Sequence, residues 1–99
     1  MAFVQLVEFT SKNTDQIRAL TDKYQRDTEG KRTSVRALVC ADRDTPDRYV
    51  VIAEFASYED AMTNSALPET EEFAAAMAQL TEGPMSYRNL EVIEDLTGG

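Results

Sequence analysis

The chain has 99 residues, 42% of them apolar, and this length supports one hydrophobic core and therefore one domain. Eighteen acidic residues against ten basic ones give a net charge of −8, which disfavours nucleic acid and anionic membrane surfaces as partners. We therefore predict a single domain over residues 1–96, followed by a frayed tail over residues 97–99.

The first two predicted elements are a strand and a helix. Residues 2–10 are rich in β-branched and aromatic types, and apolar residues fall on both faces of the predicted strand. Residues 14–29 then place Ile17, Leu20 and Tyr24 at helical spacing. A strand that is apolar on both faces indicates helices on one side of its sheet and a second cover on the other.

A hairpin is predicted in the middle of the chain. Residues 33–43 and 48–55 have strand composition and flank a polar turn. The turn contains Asp42, Asp44 and Asp47, but it lacks the glycine and the distant glutamate of a calcium-binding loop. We therefore predict two paired strands and no metal site.

Two helices and a last strand complete the predicted order. Ser57 is typical of a helix start, Pro68 of a second start, and Gly83-Pro84 of a stop before a strand over residues 85–96. The side chains predicted to point inward from these helices are Tyr58, Ala61, Met62, Phe73, Met77 and Leu80. The order β-α-β-β-α-β predicts a ferredoxin-like α+β fold, an antiparallel four-stranded sheet with its helices on one face.

The uncovered face of this sheet predicts a homodimer. Val4, Leu6, Val50 and Ile52 fall on the face that the helices do not cover. An apolar face of this kind needs a partner, so we expect two sheets to meet face to face.

The start of the chain and its one cysteine predict a cytoplasmic location. From Met1 the sequence passes directly into an alternating pattern, without the basic and apolar segments of a secretory leader. Cys40 has no internal partner for a disulfide and lies in an apolar run, which favours a buried, inert thiol. Both features are typical of a reducing compartment.

A local pattern lies between residues 49 and 80. Phe55 closes the third strand, Asn64 lies four residues before Pro68, and Phe73 lies five residues after it. This pattern resembles the antibiotic biosynthesis monooxygenase family, whose members are dimeric α/β barrels of about this chain length. In that family a tryptophan ends the strand, and two histidines flank the proline.

The resemblance implies a fold and an activity, but the polar residues differ. Phe55 stands at the position of the tryptophan, and Asn64 and Glu69 stand at those of the two histidines. The resemblance implies a cofactor-independent monooxygenase that acts on or binds a small aromatic or polyketide-like compound, with no cofactor and no metal. The absence of histidine from the chain argues against the related haem-degrading enzymes, because no imidazole is present to hold the iron.

The candidate site residues follow from the resemblance and from the predicted helices. The predicted ligand-binding residues are Phe55, Tyr58, Asn64, Phe73 and Met77. Asn64 is a weak catalytic candidate, because an amide hydrogen-bonds a phenolate or carbonyl oxygen but does not accept a proton. The proton acceptor stays open among Glu54, Glu69, Tyr49, Tyr58 and Tyr87.

A second function is compatible with the same residues. A barrel without the family's histidines is also expected of a non-catalytic module for small-ligand binding or assembly, with the aromatic and methionine side chains as ordinary core. A cavity that reaches Asn64 beside a buried acid or tyrosine favours the enzyme. A cleft filled by Phe55, Phe73 and Met77 favours the module.

Overall fold

The computed structural model describes residues 2–97, so Gly98 and Gly99 of the predicted tail lie outside the described residues. In chain order its elements are β1 (Phe3–Thr10), α1 (Thr14–Asp27), β2 (Ser34–Ala41), β3 (Arg48–Phe55), α2 (Tyr58–Ser65), α3 (Pro68–Leu80) and β4 (Glu82–Glu91). The strands form one antiparallel sheet in the order β2-β3-β1-β4. The predicted ferredoxin-like α+β fold is confirmed.

The helix bounds follow from local chemistry. Ser57 Oγ accepts a hydrogen bond from the backbone N–H of Asp60 at 3.1 Å, which satisfies one of the unpaired donors at the start of α2. Pro68 is the first residue of α3, where a missing N–H costs nothing. Beyond α1, Gly30 adopts φ +81°, a conformation that other residues rarely take.

The last strand differs from its prediction. β4 begins at Glu82, before the Gly83-Pro84 pair that was predicted to precede it, and it ends at Glu91 rather than Leu96. A bulge in the pairing with β1 accommodates the pair, because Gly83 adopts φ +73° and a proline on an edge strand needs no ladder hydrogen bond. The strand ends at Glu91, which lies opposite Phe3, the first residue of β1.

The sheet has a covered face, which packs against the helices, and a second face. The covered face carries Phe3, Gln5, Val7, Phe9, Ala37, Val39, Tyr49, Val51, Ala53, Phe55 and Tyr87. The second face carries Val4, Leu6, Glu8, Arg36, Leu38, Cys40, Arg48, Val50, Ile52, Glu54, Arg88 and Leu90. Cys40, predicted as buried, is only half-buried there.

The core between helices and sheet consists of two clusters. One contains Phe3, Phe55 and Ala61, and the other contains Phe9, Ile17 and Met77. The predicted stripe of α3 is confirmed, because Phe73 and Leu80 pack against the second cluster. Tyr58 and Met62 were predicted to point inward, but they are 51% and 37% exposed, since the short helix α2 buries only Ala61 and Asn64.

Candidate ligand-binding cavity

A cavity of about 210 Å³ lies between the helices and the covered face of the sheet. It extends across the sheet, from Val39 on the edge strand β2 to Tyr87 on the edge strand β4. An apolar cavity of roughly 150 Å³ holds a benzene molecule. The volume therefore suits a compound of one or two rings.

Aromatic rings at the two ends of the covered face, with shorter side chains between them, leave space for this cavity. Phe55 belongs to one core cluster and Phe9 to the other, so the aromatic rings fill the two ends of the face. Between them lie the shorter side chains of Ala53 and Gln5. Gln5 Nε2 donates a hydrogen bond to Asn89 Oδ1 on β4 at 3.1 Å, which directs its amide along the sheet. The space above these positions stays open.

Hydrogen bonds hold Asn64 on both sides of its amide. The backbone N–H of Thr33 donates to Asn64 Oδ1 at 3.3 Å, and Asn64 Nδ2 donates to Tyr24 Oη at 3.2 Å. Tyr24 Oη also lies 2.8 Å from Thr70 Oγ1. Asn64 is only 9% exposed and lines the cavity. Its orientation is therefore fixed, and Nδ2 keeps a second hydrogen with which to bind a ligand.

Tyr24 is a cavity residue that the sequence analysis placed only on a helical stripe. The side chain is half-buried, and its ring lies 4.8 Å from that of Phe73 between ring centroids. The stripe of α1 indicated that Tyr24 faces inward. The partner of its hydroxyl, Asn64, lies 40 residues later, so no local spacing reveals the pair.

Arg32, also missed by the sequence analysis, is the one charged residue among those that line the cavity within residues 2–97. Its Nη1 donates to the carbonyl oxygen of Gln25 at 2.8 Å and to Thr28 Oγ1 at 3.2 Å. Within the same range, no carboxylate lies within 4.0 Å of its guanidinium nitrogens. Its position in the loop after α1 carried no sequence signal.

The structure brings together most of the predicted ligand-binding residues. Four of the five line the cavity: Phe55, Asn64, Phe73 and Met77. Tyr58 lies outside it, where its ring packs edge-to-face on Phe3 with the centroids 5.4 Å apart. Tyr49, a predicted proton acceptor, also lies outside and stacks on Phe9.

The other predicted proton acceptors are divided between the cavity and the surface. Tyr87 lines the cavity, whereas Glu54 lies on the second face of the sheet. Glu69 pairs with Lys31 on the outer surface, and the hydrogen bond from Lys31 lowers the pKa of the Glu69 carboxyl. The described lining thus offers the phenols of Tyr24 and Tyr87 and no carboxylate.

Neither a metal cluster nor a membrane helix is found in the part of the chain that the structure describes. Residues 2–97 contain no group of three or more histidine, cysteine, aspartate or glutamate side chains placed to hold a metal ion. In the hairpin turn, Asp42 Oδ1 accepts hydrogen bonds from the N–H groups of Asp44 and Thr45, so this carboxylate shapes the turn. None of the described helices is long and apolar enough to cross a membrane.

Solved structures share this architecture. No family model and no curated protein matches the sequence. A variant of SnoaB, a cofactor-independent oxygenase from Streptomyces nogalater, superposes with a TM-score of 0.81 at 16% identity, over 97% of this chain and 97% of that one. Rv0793 from Mycobacterium tuberculosis gives 0.81 at 14% identity, over 98% and 100%. A protein named antibiotic biosynthesis monooxygenase gives 0.75 at 13% identity, over 95% and 100%.

Identities at this level show a shared fold, and fold alone does not fix a function. The resemblance predicted from residues 49–80 is confirmed as a resemblance of architecture along nearly the whole chain. The chain has the fold of the antibiotic biosynthesis monooxygenases.

Proposed function

We propose that the protein is a cofactor-independent monooxygenase-like protein that binds and oxidises a small aromatic or polyketide-like compound in the cavity between helices and sheet. The observation that supports the proposal is the cavity, whose mostly apolar lining surrounds the fixed amide of Asn64. Small-molecule sites are typically concave and apolar, with a few oriented polar groups. The likeness of fold to SnoaB supports the reaction class.

The proposed reaction balances without a cofactor. The substrate is a phenol that binds as its phenolate, so its hydroxyl proton is already in solvent, and the anion is electron-rich enough to reduce O₂. One oxygen atom replaces a ring hydrogen and ends in a new carbonyl group. The other ends in water with that hydrogen and one proton from solvent, so that a phenol and O₂ give a quinone and H₂O. The protein binds the substrate, excludes water and places a donor at the developing negative charge.

Asn64 is the proposed donor in this reaction. The bond from the Thr33 N–H to Oδ1 and the bond from Nδ2 to Tyr24 Oη fix the plane of its amide before substrate arrives. A preorganised donor stabilises charge that develops during a reaction without the cost of reorientation. Tyr24 and Thr70 are positioning residues, because they act on the substrate through Asn64.

Oxygen uptake with a panel of phenols and quinols tests this proposal. Loss of one oriented donor typically lowers kcat by about 100-fold or more, so Asn64→Ala is expected to slow uptake by that factor. Gln16→Ala removes an exposed amide from α1 and is the matched control with an unchanged rate. A rate that is equal in wild type and Asn64→Ala would remove Asn64 from the site.

The second candidate is a non-catalytic module for small-ligand binding or assembly. The chain contains no histidine and no tryptophan, and Glu69, at the position of the family's second histidine, lies outside the cavity. Binding of the same phenols without oxygen consumption would favour this candidate over the enzyme.

We also propose that the second face of the sheet binds a second copy of the chain, as in a dimeric α/β barrel. Leu6, Leu38 and Ile52 lie side by side across three strands of this face. The charged side chains around them have both signs: Glu8, Arg36, Arg48, Glu54 and Arg88. In a chain with a net charge of −8, a patch of mixed sign suits self-association better than a uniformly acidic surface.

A further inference from the structure

We propose that the ligand of the cavity is an anion, namely a small aromatic compound whose carboxylate or phenolate oxygen pairs with Arg32. This inference rests on the proposed binding function of the cavity and adds the charge of its ligand. It is carried by the charges that line the cavity and by the geometry of Arg32.

The charge of the lining is opposite to that of the protein. Eighteen of the 99 residues are acidic, yet no aspartate or glutamate is among the described residues that line the cavity. Arg32 is the one charged side chain there, so the lining carries one positive charge. Arg32 is half-buried, and within residues 2–97 no carboxylate lies within 4.0 Å of its guanidinium nitrogens, so this cation lacks a close counter-charge. An anionic ligand supplies it.

Arg32 is also oriented and retains donors. Its side-chain hydrogen bonds within residues 2–97 use Nη1 alone, and they tie the guanidinium to Gln25 and Thr28 at the end of α1. A guanidinium has five N–H groups in a planar fork that matches the geometry of a carboxylate. The remaining donors are available for a ligand oxygen.

Arg32 lies at the same end of the cavity as Asn64. The next residue along the chain, Thr33, donates its backbone N–H to Asn64 Oδ1. The cavity therefore combines a cationic donor and a neutral donor at one end with the apolar side chains of Val51, Phe73 and Met77. This arrangement fits an aromatic compound that carries its oxygen anion at one end.

An ionised ligand also accounts for the absence of a strong base. The described lining contains no carboxylate and the chain contains no histidine, so no strong proton acceptor faces the ligand. A compound that arrives as its anion needs no such group. Arg32 then favours the ionised form of the ligand over the neutral form, because an opposite charge stabilises the anion.

Calorimetric titration with two matched pairs of probes tests the inference. The first pair is 2-naphthoate and neutral 2-naphthamide, and the second is 4-nitrophenolate and neutral 4-nitroanisole. We expect at least one anion to bind the wild type more tightly than its neutral counterpart, by roughly tenfold for one charge-assisted contact. The pair that shows the preference tells carboxylate from phenolate recognition.

Three variants separate charge recognition from folding. Arg32→Gln is expected to lose the preference for the anion while its affinity for the neutral probe stays the same, which shows that the cavity is intact. Arg32→Lys keeps the charge and is expected to retain most of the preference. Arg43→Gln removes the same charge from the exposed hairpin turn and is expected to behave as wild type.

Two results would overturn the inference in distinguishable ways. Equal affinity of the wild type for anionic and neutral probes, unchanged in Arg32→Gln, would refute the role of Arg32 and leave the cavity as a binding site. No binding of any of the four probes at millimolar concentration would refute both the inference and the proposed function.

Discussion

The two faces of the sheet are built from the same strands but differ in shape. On β1, the covered face has a phenylalanine at each end with Gln5 and Val7 between them, whereas the second face presents Val4, Leu6 and Glu8. The covered face lines a cavity of about 210 Å³ that is open to solvent at Val39 and Tyr87. The second face is an aliphatic patch with mixed charges at its margins.

This difference shows how one alternating pattern serves two purposes. Aromatic side chains separated by short ones leave space under a helical layer, because the helices rest on the rings. Aliphatic side chains of similar size leave an even surface, which suits packing against another sheet. The covered face is therefore the proposed ligand site, and the second face is the proposed dimer interface.

The largest expected effect concerns the second face. Ile52→Asp places a carboxylate at its centre, and burial of an unpaired charge costs several kcal/mol, so the dimer dissociation constant should rise by more than about 100-fold. Light scattering after size exclusion measures the change. Ala75→Asp adds the same charge on an exposed position of α3 and should leave the dimer intact. A wild type that is monomeric at micromolar concentration would contradict the proposed interface.

The next effect concerns the rings that support the covered face. Phe9 is 1% exposed, and its truncation in Phe9→Ala should lower the free energy of unfolding by about 3–5 kcal/mol. Val39 lies on the same face but is 53% exposed, so Val39→Ala should change the free energy of unfolding by only about 0.5 kcal/mol. Urea denaturation measures both. Equal losses of unfolding free energy in the two variants would mean that burial of Phe9 does not stabilise the core.

A smaller effect isolates the hydroxyl of Tyr24. Tyr24→Phe keeps the ring against Phe73 but removes the bonds to Asn64 and Thr70, and should cost about 1 kcal/mol of stability. If Tyr24 positions Asn64, the same variant also lowers kcat for oxygen uptake. A loss of stability with unchanged kcat would reduce Tyr24 to a structural role.

The smallest effect lies on the outer surface. The hydrogen bond from Lys31 lowers the pKa of Glu69, so this pair stabilises the fold above the ordinary pKa of glutamate and the contribution is lost as pH falls through the lowered value. Lys31→Ala should raise the pKa of Glu69 in an NMR titration, whereas Lys12→Ala should not. Neither variant should change ligand affinity. A changed affinity in Lys31→Ala would extend the site beyond the cavity.

The sequence predicted those parts of the fold that depend on local chemistry. The capping residue Ser57 and the proline Pro68 mark the helix starts where they were expected, and the strand composition of β3 predicted its bounds. The predicted end of β4 was wrong, because pairing with β1, and not local composition, decides where that strand ends. The prediction that Tyr58 points inward was wrong, because the short helix α2 buries only Ala61 and Asn64.

The cavity was predictable only in part. Asn64 and Phe73 were found from a resemblance in the local pattern around Pro68, and both line the cavity. Tyr24 and Arg32 were missed, because their relation to Asn64 arises when α1 and the following loop pack across from α2. Contacts over such distances in the chain leave no periodic signal.

An NMR titration of methyl-labelled protein with 2-naphthoate tests the assignment of the two faces most directly. We expect the methyl signals of Met77 and Met85, which line the cavity, to shift as the ligand is added. The signals of Met62 on α2 and Ile52 on the second face should stay in place. Shifts confined to Ile52, or no shift at Met77 and Met85 at millimolar ligand, would show that the ligand does not bind between the helices and the sheet.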